Sequence, residues 1–308
     1  MADMKEITKK LLSLVSDWDG KFDGAYSIRE DGGCAGMRST EHIHITQRTD
    51  RPGLTVHVDP GTKGEKVYVP ACVTHGDMDD IVYNDFYIGE DADVVIVAGC
   101  GVHTETDSEV RHNGIHRFFV GKNAHVRYEE KHLGNGNGSG SRSIDPVTDI
   151  HLEENALMEM ETVQISGVDR SDRKTTATAE AGARLVVQER ILTEGTQTAD
   201  TFFEIQLNGK DSGADIVSHS VARDHSRQTY VSTIVGNAPC SGHTECDAII
   251  AGDAIVDASP RLYARNSDAA LIHEAAIGKI AGDQILKLRT LGLTEEEAEA
   301  KIVEGFLS

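Results

Sequence analysis

The chain has 308 residues, of which 39% are hydrophobic, so a packed core in one large or two smaller domains is expected. Its 51 acidic and 30 basic residues give a formal net charge of −21. Such a surface repels nucleic-acid phosphates and anionic lipid headgroups, and we expect neither a nucleic-acid nor a membrane partner. Residues 1–18 are amphipathic and no stretch approaches the roughly 18 apolar residues that span a bilayer, so neither a signal peptide nor a membrane span is expected. Five scattered cysteines indicate a reducing, cytoplasmic setting: Cys34, Cys72, Cys100, Cys240 and Cys246.

The first element is a helix predicted over residues 4–18. Ile7, Leu11, Leu14, Val15 and Trp18 share one face, and Asp19-Gly20 follows as a stop signal. Glycine and polar residues then continue to Gly36. We therefore expect residues 1–36 to be a helix and a loop.

A repeat of short strands fills the middle of the chain, residues 37–272. Each unit is a strand, a three-residue corner of Gly, Asp or Asn type, an alanine and a second strand. The alanines recur at intervals of 32, 32, 27, 31 and 40 residues, and they are Ala92, Ala124, Ala156, Ala183, Ala214 and Ala254. Self-similarity at this period is typical of stacked repeat architectures.

Two architectures fit these units. In a right-handed parallel β-helix the small alanines lie inside stacked corners. In an antiparallel β-sandwich each corner is a hairpin loop. The period favours the β-helix, and the sandwich stays open at this point.

Residues 134–141, Gly-Asn-Gly-Asn-Gly-Ser-Gly-Ser, interrupt the repeat. We expect a mobile surface loop between two coils. It is not followed by the Lys-Ser/Thr pair of a phosphate-binding loop, so no nucleotide site is predicted in this chain.

The tail, residues 273–308, begins with a strand end that carries His273 and Glu274 and is then predicted to form two helices. Thr294 and Glu297 form a capping box that begins a helix, and Asp283 to Leu291 has amphipathic spacing before Gly292. The two helices would cap the open end of the β-helix, and a docking face is the further possibility.

Three residues of the last coils could meet in space. His273 and Glu274 lie 27 and 28 residues after Cys246, close to one repeat period, and stacked coils place such positions side by side. A thiolate with an imidazole or a carboxylate can hold iron. The simpler interpretation is that Cys246 is a buried cysteine of the core.

Cys100 is the second candidate, because flanking Gly99 and Gly101 would give its sulfur access and His103 follows at a plausible ligand spacing. His112 and His116 form a further pair, four residues apart. No role is assigned to Cys34.

Most of residues 85–308 resembles the SufB/SufD family of iron–sulfur cluster assembly proteins, and the resemblance is strongest from Cys246 onward. The resemblance is carried by Cys-Asp-Ala-Ile-Ile-Ala-Gly-Asp at residues 246–253, Ala-Arg-Asn-Ser at 264–267, His-Glu-Ala at 273–275 and Gly-Phe at 305–306. It implies a β-helix core. It also implies a scaffold role without catalysis of its own, and a transient iron–sulfur cluster as the only cofactor.

The resemblance assigns roles and partners. Cys246 and Glu274 correspond to positions implicated in building the cluster, and Cys100 to a sulfur-receiving one. SufD-type subunits usually lack that cysteine and glutamate and keep a histidine at the place of His273. This chain has all three, so it resembles a short SufB-like form, and His273 is taken as a further candidate ligand. The implied partner is a SufC-type ABC ATPase docked on the helical tail. A homodimer or a SufB/SufD-type heterodimer is expected through the β-helix edges.

The chain also departs from the family. It is short, and residues 127–134 lack the glutamine and tryptophan of longer SufB proteins, which puts the usual sulfur path in doubt. The alternative function is a SufD-like accessory subunit without its own cluster. A β-helix carbohydrate-active enzyme is disfavoured, because aromatic residues make up only 5% of the chain.

Overall fold

The computed structural model describes residues 4–165 and 167–307, which form a β-solenoid of about eight turns with one helix before it and two after it. The helices are α1 (Glu6–Ser16), α2 (Gly282–Thr290) and α3 (Glu295–Phe306). The strands are β1 (Ala25–Glu30), β2 (Gly33–Arg38), β3 (Ile43–Gln47), β4 (Gly53–Val58), β5 (Lys63–Tyr68), β6 (Ala71–Val73), β7 (Met78–Ile88), β8 (Asp93–His103), β9 (Val110–Val120), β10 (His125–Asn135), β11 (Arg142–Ile144), β12 (Val147–Leu152), β13 (Leu157–Gln164), β14 (Arg170–Ala179), β15 (Arg184–Thr193), β16 (Thr198–Leu207), β17 (Ser212–Ala222), β18 (Arg227–Gly236), β19 (Cys240–Ile250), β20 (Ile255–Ala264) and β21 (Ala270–Gly278).

The strands alternate between two sheets as the chain winds. Sheet A has the order β2-β1-β5-β8-β10-β13-β15-β17-β19-β21, with β6 beside β1 and β8. Sheet B has the order β20-β18-β16-β14-β11-β9-β7-β4-β3, with β12 between β9 and β14. From β7 onward every described strand pair is parallel, as in β10 with β13 and β17 with β19. Parallel ladders rule out the antiparallel sandwich, and the predicted β-helix class is confirmed.

The core lies between the two sheets, because alternate residues of each strand point inward. Similar side chains of successive coils stack on one another. The rings of Phe86 and Phe118 are both fully buried and nearly parallel, with their centroids 4.6 Å apart. Truncating either ring to alanine is expected to cost about 3–5 kcal/mol of stability.

The predicted alanine column is correct for four coils and wrong for the last two. Ala92, Ala124, Ala156 and Ala183 stack at one corner. The carbonyl of each alanine accepts a hydrogen bond from a backbone N–H of the next coil, donated by the residue that follows the equivalent corner position. The register then continues through Ser212 and Cys240, as the paired strands establish. Ala214 lies two residues further along β17, and Ala254 precedes β20 in the opposite sheet. The corner requires a small side chain, which serine and cysteine also provide.

Left-handed residues turn the chain just before that column. Asp91, Asn123, Asn155 and Asp211 have φ of 59°, 56°, 58° and 61°, and Gly182 has 68°. Asn, Asp and Gly tolerate this region best, which explains the corner composition seen in the sequence.

The N-terminal stretch is more ordered than predicted. Residues 25–38, expected within or next to a loop, form the hairpin β1–β2 that continues sheet A. Helix α1 is confirmed, and it packs on the outside of sheet A through Leu11, Leu12 and Val15, whereas Leu14 is 49% exposed.

The glycine-rich segment 134–141 was predicted to be mobile, but the structure places it against the preceding coil. Gly138 N and Gly140 N donate to Thr104 O and Thr106 O at 3.0 Å. A Cβ on Gly138 would lie 2.2 Å from Thr106 O. The alternating glycines therefore permit two loops to lie in backbone contact.

The helical tail follows β21, which runs five residues past the predicted boundary at 273. The capping box of α3 is confirmed by both of its hydrogen bonds, Glu297 N to Thr294 Oγ1 and Thr294 N to Glu297 Oε2. α2 buries none of its residues against the described part of the chain, and Leu286 and Leu291 are 60% and 74% exposed. None of the described helices is long and apolar enough to cross a membrane.

Candidate functional site

A polar row crosses the interior of sheet A. The parallel register aligns one inward residue from each of seven strands, and these are Ala98, Glu130, Thr162, Glu189, Ser218, Cys246 and Ala275. All of them except Ala275 are buried. Burying a charged group inside a solenoid costs folding free energy unless the group is paired. The row is therefore a candidate functional site and not part of the ordinary apolar core.

Arg173, which comes from β14 in sheet B, pairs with both glutamates. Its guanidinium donates to Glu130 Oε2 at 2.6 Å and lies 3.6 Å from Glu189 Oε1. Burial opposes ionisation of Glu130, but Arg173 and then His132 hold the pKa of Glu130 well below its usual range. Burial raises the pKa of Glu189, with Arg173 only partly opposing it. One arginine thus serves two carboxyl groups at the centre of the interior.

Cys246 lies at the far end of this row. Its neighbour Ser218 donates a hydrogen bond of 2.7 Å to Glu189 Oε2, which links the thiol's position to the central ion pair. Cys246 is 1% exposed, and burial raises the pKa of its thiol to about 12, with smaller contributions from Glu189 and Asp247. The thiol is therefore protonated at neutral pH.

His273 and Glu274 do not both join Cys246 within one chain. Cys246 pairs with Ala275, a spacing of 29 residues, whereas the period assumed from the sequence was 27 or 28. His273 lies two residues from Ala275 and shares the inner face, and its Nδ1 is buried without a hydrogen-bond partner among the described residues. Glu274 lies on the outer face with its side chain 66% exposed, bonded to His243. The expectation that sulfur and carboxylate converge in a single chain is wrong, because adjacent strand residues face opposite sides.

Cys100 faces a cavity at the N-terminal end of the interior. The cavity has a volume of about 340 Å³, and Cys34, Cys100, His112, His116, Glu130 and His132 are among its lining residues. Burial raises the pKa of the Cys100 thiol well above its ordinary value, and the charge of Glu130 adds to this.

Two expectations about the surroundings of Cys100 are wrong. Gly99 and Gly101 give no access to the sulfur. They face α1, and a Cβ on Gly99 would lie 2.2 Å from Val15 O. His103 is three residues along the same strand and so points to the opposite face from Cys100, which prevents the two from binding one metal.

The histidines that line the cavity are held in defined tautomers. Tyr128 gives its only proton to Glu130, so His116 Nδ1–H donates to Tyr128 Oη at 2.8 Å. Arg173 can only donate, so His132 Nδ1 accepts from it at 3.2 Å. Burial lowers the pKa of His116 to about 4 and also lowers the pKa of His132. Both imidazoles are therefore neutral at pH 7.

The sequence reasoning missed Glu130, Arg173 and Glu189. Their signal was present as charged residues at inward positions of alternating strands, for example Tyr128-Glu129-Glu130, where Tyr128 and Glu130 share a face. Without the register between strands, the sequence does not show which of the two alternating sets of side chains faces inward.

The fold and its interior define a class: a parallel β-solenoid with two buried cysteines joined by an ion-paired polar row. The family model for the SUF system FeS cluster assembly, SufBD core domain, matches residues 82–306. The chain therefore belongs to the SufBD family of iron–sulfur cluster assembly proteins.

Relatives from archaea agree with this assignment. An iron–sulfur cluster assembly SufBD family protein of Archaeoglobus fulgidus is 30% identical over 277 residues, which is 87% of this chain and 71% of the relative. One from Methanothermobacter thermautotrophicus is 29% identical over 262 residues, 83% of this chain and 62% of the relative. The chain thus spans less than two thirds of the length of the Methanothermobacter protein.

Proposed function

We propose that this chain is a scaffold subunit on which an iron–sulfur cluster is assembled, with a SufC-type ABC ATPase as the source of nucleotide-driven motion. The cluster is cargo, held transiently, and the chain has no catalytic reaction of its own. The observation that carries the proposal is the buried polar row from the Cys100 cavity to Cys246. A purely structural solenoid has no need for two carboxyl groups and a guanidinium at its centre.

The two thiols have separate roles in this proposal. Cys100, at the cavity, receives sulfur, and Cys246, near the last coil, binds the growing cluster together with His273. Glu130 and Glu189 of the row, paired with Arg173 of sheet B, provide a polar route between them, in place of the glutamine and tryptophan that longer SufB proteins have in this region.

A second subunit completes the ligand set. Glu274 faces outward in its own chain, so its carboxylate reaches a cluster only across an interface. β20 and β21 have a free edge among the described strands, which suits pairing with a homodimer partner or with a SufB/SufD-type heterodimer partner.

The ATPase is placed on the helical tail. α2 leaves Leu286 and Leu291 largely exposed, and α3 buries only Ala298 and Val303. Exposed apolar residues on a capped helix pair suit a protein interface better than a structural cap.

Anaerobic reconstitution with Fe²⁺ and sulfide tests the proposal. The wild-type chain should develop sulfur-to-iron charge-transfer absorption, and Cys246→Ala should lose it. Cys72→Ala is the matched control, since Cys72 is equally buried but lies under α1, away from the polar row. Equal absorption in wild type and Cys246→Ala would refute the assignment.

A SufD-like accessory subunit is the second candidate. The raised pKa values of the Cys100 and Cys246 thiols favour this candidate, because they disfavour the thiolate form. Such a subunit would bind the ATPase and remain colourless in the reconstitution.

A further inference from the structure

The outer face of sheet A carries a group of metal-ligating side chains of which the cluster-assembly proposal uses only Glu274. Three adjacent strands, β17, β19 and β21, place outward residues in a grid whose middle position is Glu245. Its neighbours include Asp215, His219, His243, Asp247 and Glu274. Glu245 belongs to both of the three-residue groups, found among the described residues, whose ligand atoms lie within 4.8 Å of one another.

The first group is His243, Glu245 and Glu274. His243 Nε2 lies 3.2 Å from Glu274 Oε2, a separation that two ligand atoms of one ion commonly have. Its Nδ1 lies 2.8 Å from Asp215 Oδ1, so Nδ1–H donates to Asp215. Nε2, which donates to Glu274 in the ion-free chain, becomes the ligand atom when a metal ion replaces its proton. A carboxylate that orients a histidine in this way is the usual support of a metal-bound imidazole.

The second group, His219 with Glu245 and Asp247, is less suited to a metal ion. The ring of His219 stacks on Phe306 of α3 with centroids 5.0 Å apart, and its Nε2 is 3.8 Å from Glu245. Asp247 Oδ1 already accepts from Ala276 N at 2.9 Å.

We infer that His243, Glu245 and Glu274 form a binding site for a divalent first-row metal ion on the outside of the solenoid. One imidazole and two carboxylates match the preference of Fe²⁺, Mn²⁺ or Zn²⁺ for nitrogen and oxygen ligands. The two carboxylate charges balance the ion, and three protein ligands leave coordination positions for water. The site contains no thiol and no residue of a partner, and it shares only Glu274 with the proposed cluster function.

The same face of sheet A contains a matched control. His125 lies between Glu159 at 2.6 Å and Asp93 at 3.5 Å, as His243 lies between Glu274 and Asp215. It belongs to neither of the three-ligand groups found in the described chain. A salt-bridged histidine by itself should therefore not bind the ion, whereas the Glu245-centred group should.

The test is anaerobic calorimetry with Fe²⁺ alone and visible spectroscopy with Co²⁺ alone, without sulfide, on the full chain. Wild type should bind one ion of each, and the Co²⁺ spectrum should lack sulfur-to-metal charge transfer. Glu245→Gln and His243→Ala should each weaken binding by about 10-fold or more, Asp215→Asn by about 10-fold, and His125→Ala should bind as wild type does. Circular dichroism and urea midpoints check that each variant is folded.

Wild-type affinity in folded Glu245→Gln, or an equal loss in His125→Ala, would overturn the site. A thiolate charge-transfer band with Co²⁺ would also overturn it. Cys246→Ala separates the two proposals, because it should lose the iron–sulfur chromophore and keep the Co²⁺ spectrum. Glu274 belongs to both proposals, so it is not used to distinguish them.

Discussion

Across the parallel pair β19–β21, Cys246 lies opposite Ala275, one residue beyond Glu274. Because of this offset of one residue, the thiol and the carboxylate face opposite sides of the sheet. Cys246 points into a buried polar row and Glu274 points to solvent beside His243. A metal bound to both must involve two chains or a shift of the last coil. Of the two predicted partners, only His273 shares the inner face with Cys246.

Thiol reactivity should follow exposure. Cys34 is exposed, whereas Cys100 and Cys246 are buried with raised thiol pKa values. At pH 7 and limiting iodoacetamide, we expect Cys34 to be alkylated first, with Cys100 and Cys246 modified only after denaturation, because the thiolate is the nucleophile. Peptide mass spectrometry over time measures this, with Cys34→Ser as the control for background labelling. Early alkylation of Cys246 would mean that the last coil opens in the free chain.

The neutral histidines of the cavity should make stability depend on pH. The pKa of His116 is about 4 in the folded chain, against 6.5 for a histidine in water, so the unfolded chain takes up the proton first. The contribution of neutral His116 to the free energy of unfolding is therefore fully present above pH 6.5, and it is lost as the pH falls toward 4. Linkage predicts a loss of about 2 kcal/mol between about pH 7.5 and about pH 5 from this residue.

Urea unfolding of wild type and His116→Gln at both pH values measures that loss. The variant should be less stable at the higher pH, since Tyr128 and Asn84 lose their imidazole partner. Its stability should also fall less on acidification. Parallel losses in the two proteins would show that His116 does not titrate as a neutral buried group.

At the scale of elements, Gly99 allows α1 to lie directly on β8. An alanine Cβ there would lie 2.2 Å from Val15 O, whereas at Gly101 it would lie 3.0 Å from Leu11 Cβ and 3.2 Å from the Leu11 methyl carbons, which is a less severe overlap. Gly99→Ala should therefore displace α1, and Gly101→Ala should be milder. Trp18, the only tryptophan, packs against the buried residues between α1 and sheet A. Displacement of α1 should therefore shift its fluorescence emission to the red. An unshifted spectrum in Gly99→Ala would contradict the close contact.

The coil length of the solenoid could be predicted from sequence, because corner composition repeats wherever the backbone turns through left-handed Asp91, Asn123 and Asn155. The register could not be predicted. The next two positions of the alanine column hold Ser212 and Cys240, and the counts between coils vary with loop length. A miscount of one residue exchanges the inner and outer faces of a strand, which is why Glu274 was misplaced while His273 remained on the correct face.

At the scale of the whole molecule, the net charge of −21 opposes the edge-to-edge pairing that β20 and β21 invite. Screening shortens the reach of this repulsion, from a Debye length of about 10 Å at 0.1 M salt to about 3 Å at 1 M. Backbone hydrogen bonding along an edge is much less sensitive to salt. We therefore expect dimerisation through the last coil to strengthen as salt is raised.

Light scattering coupled to size exclusion at low and high salt measures this balance. Ile272, 57% exposed on β21, lies at the proposed interface, and Ile272→Asp should keep the chain monomeric by placing a carboxylate there. Leu14→Asp is the matched control, because Leu14 is similarly exposed, at 49%, but lies on α1, which packs on β8 and β10 away from the last coil. A dimer that weakens with salt, or that Leu14→Asp disrupts as strongly as Ile272→Asp does, would place the interface elsewhere. In that case the carboxylate of Glu274 could not reach the partner's Cys246 through this edge.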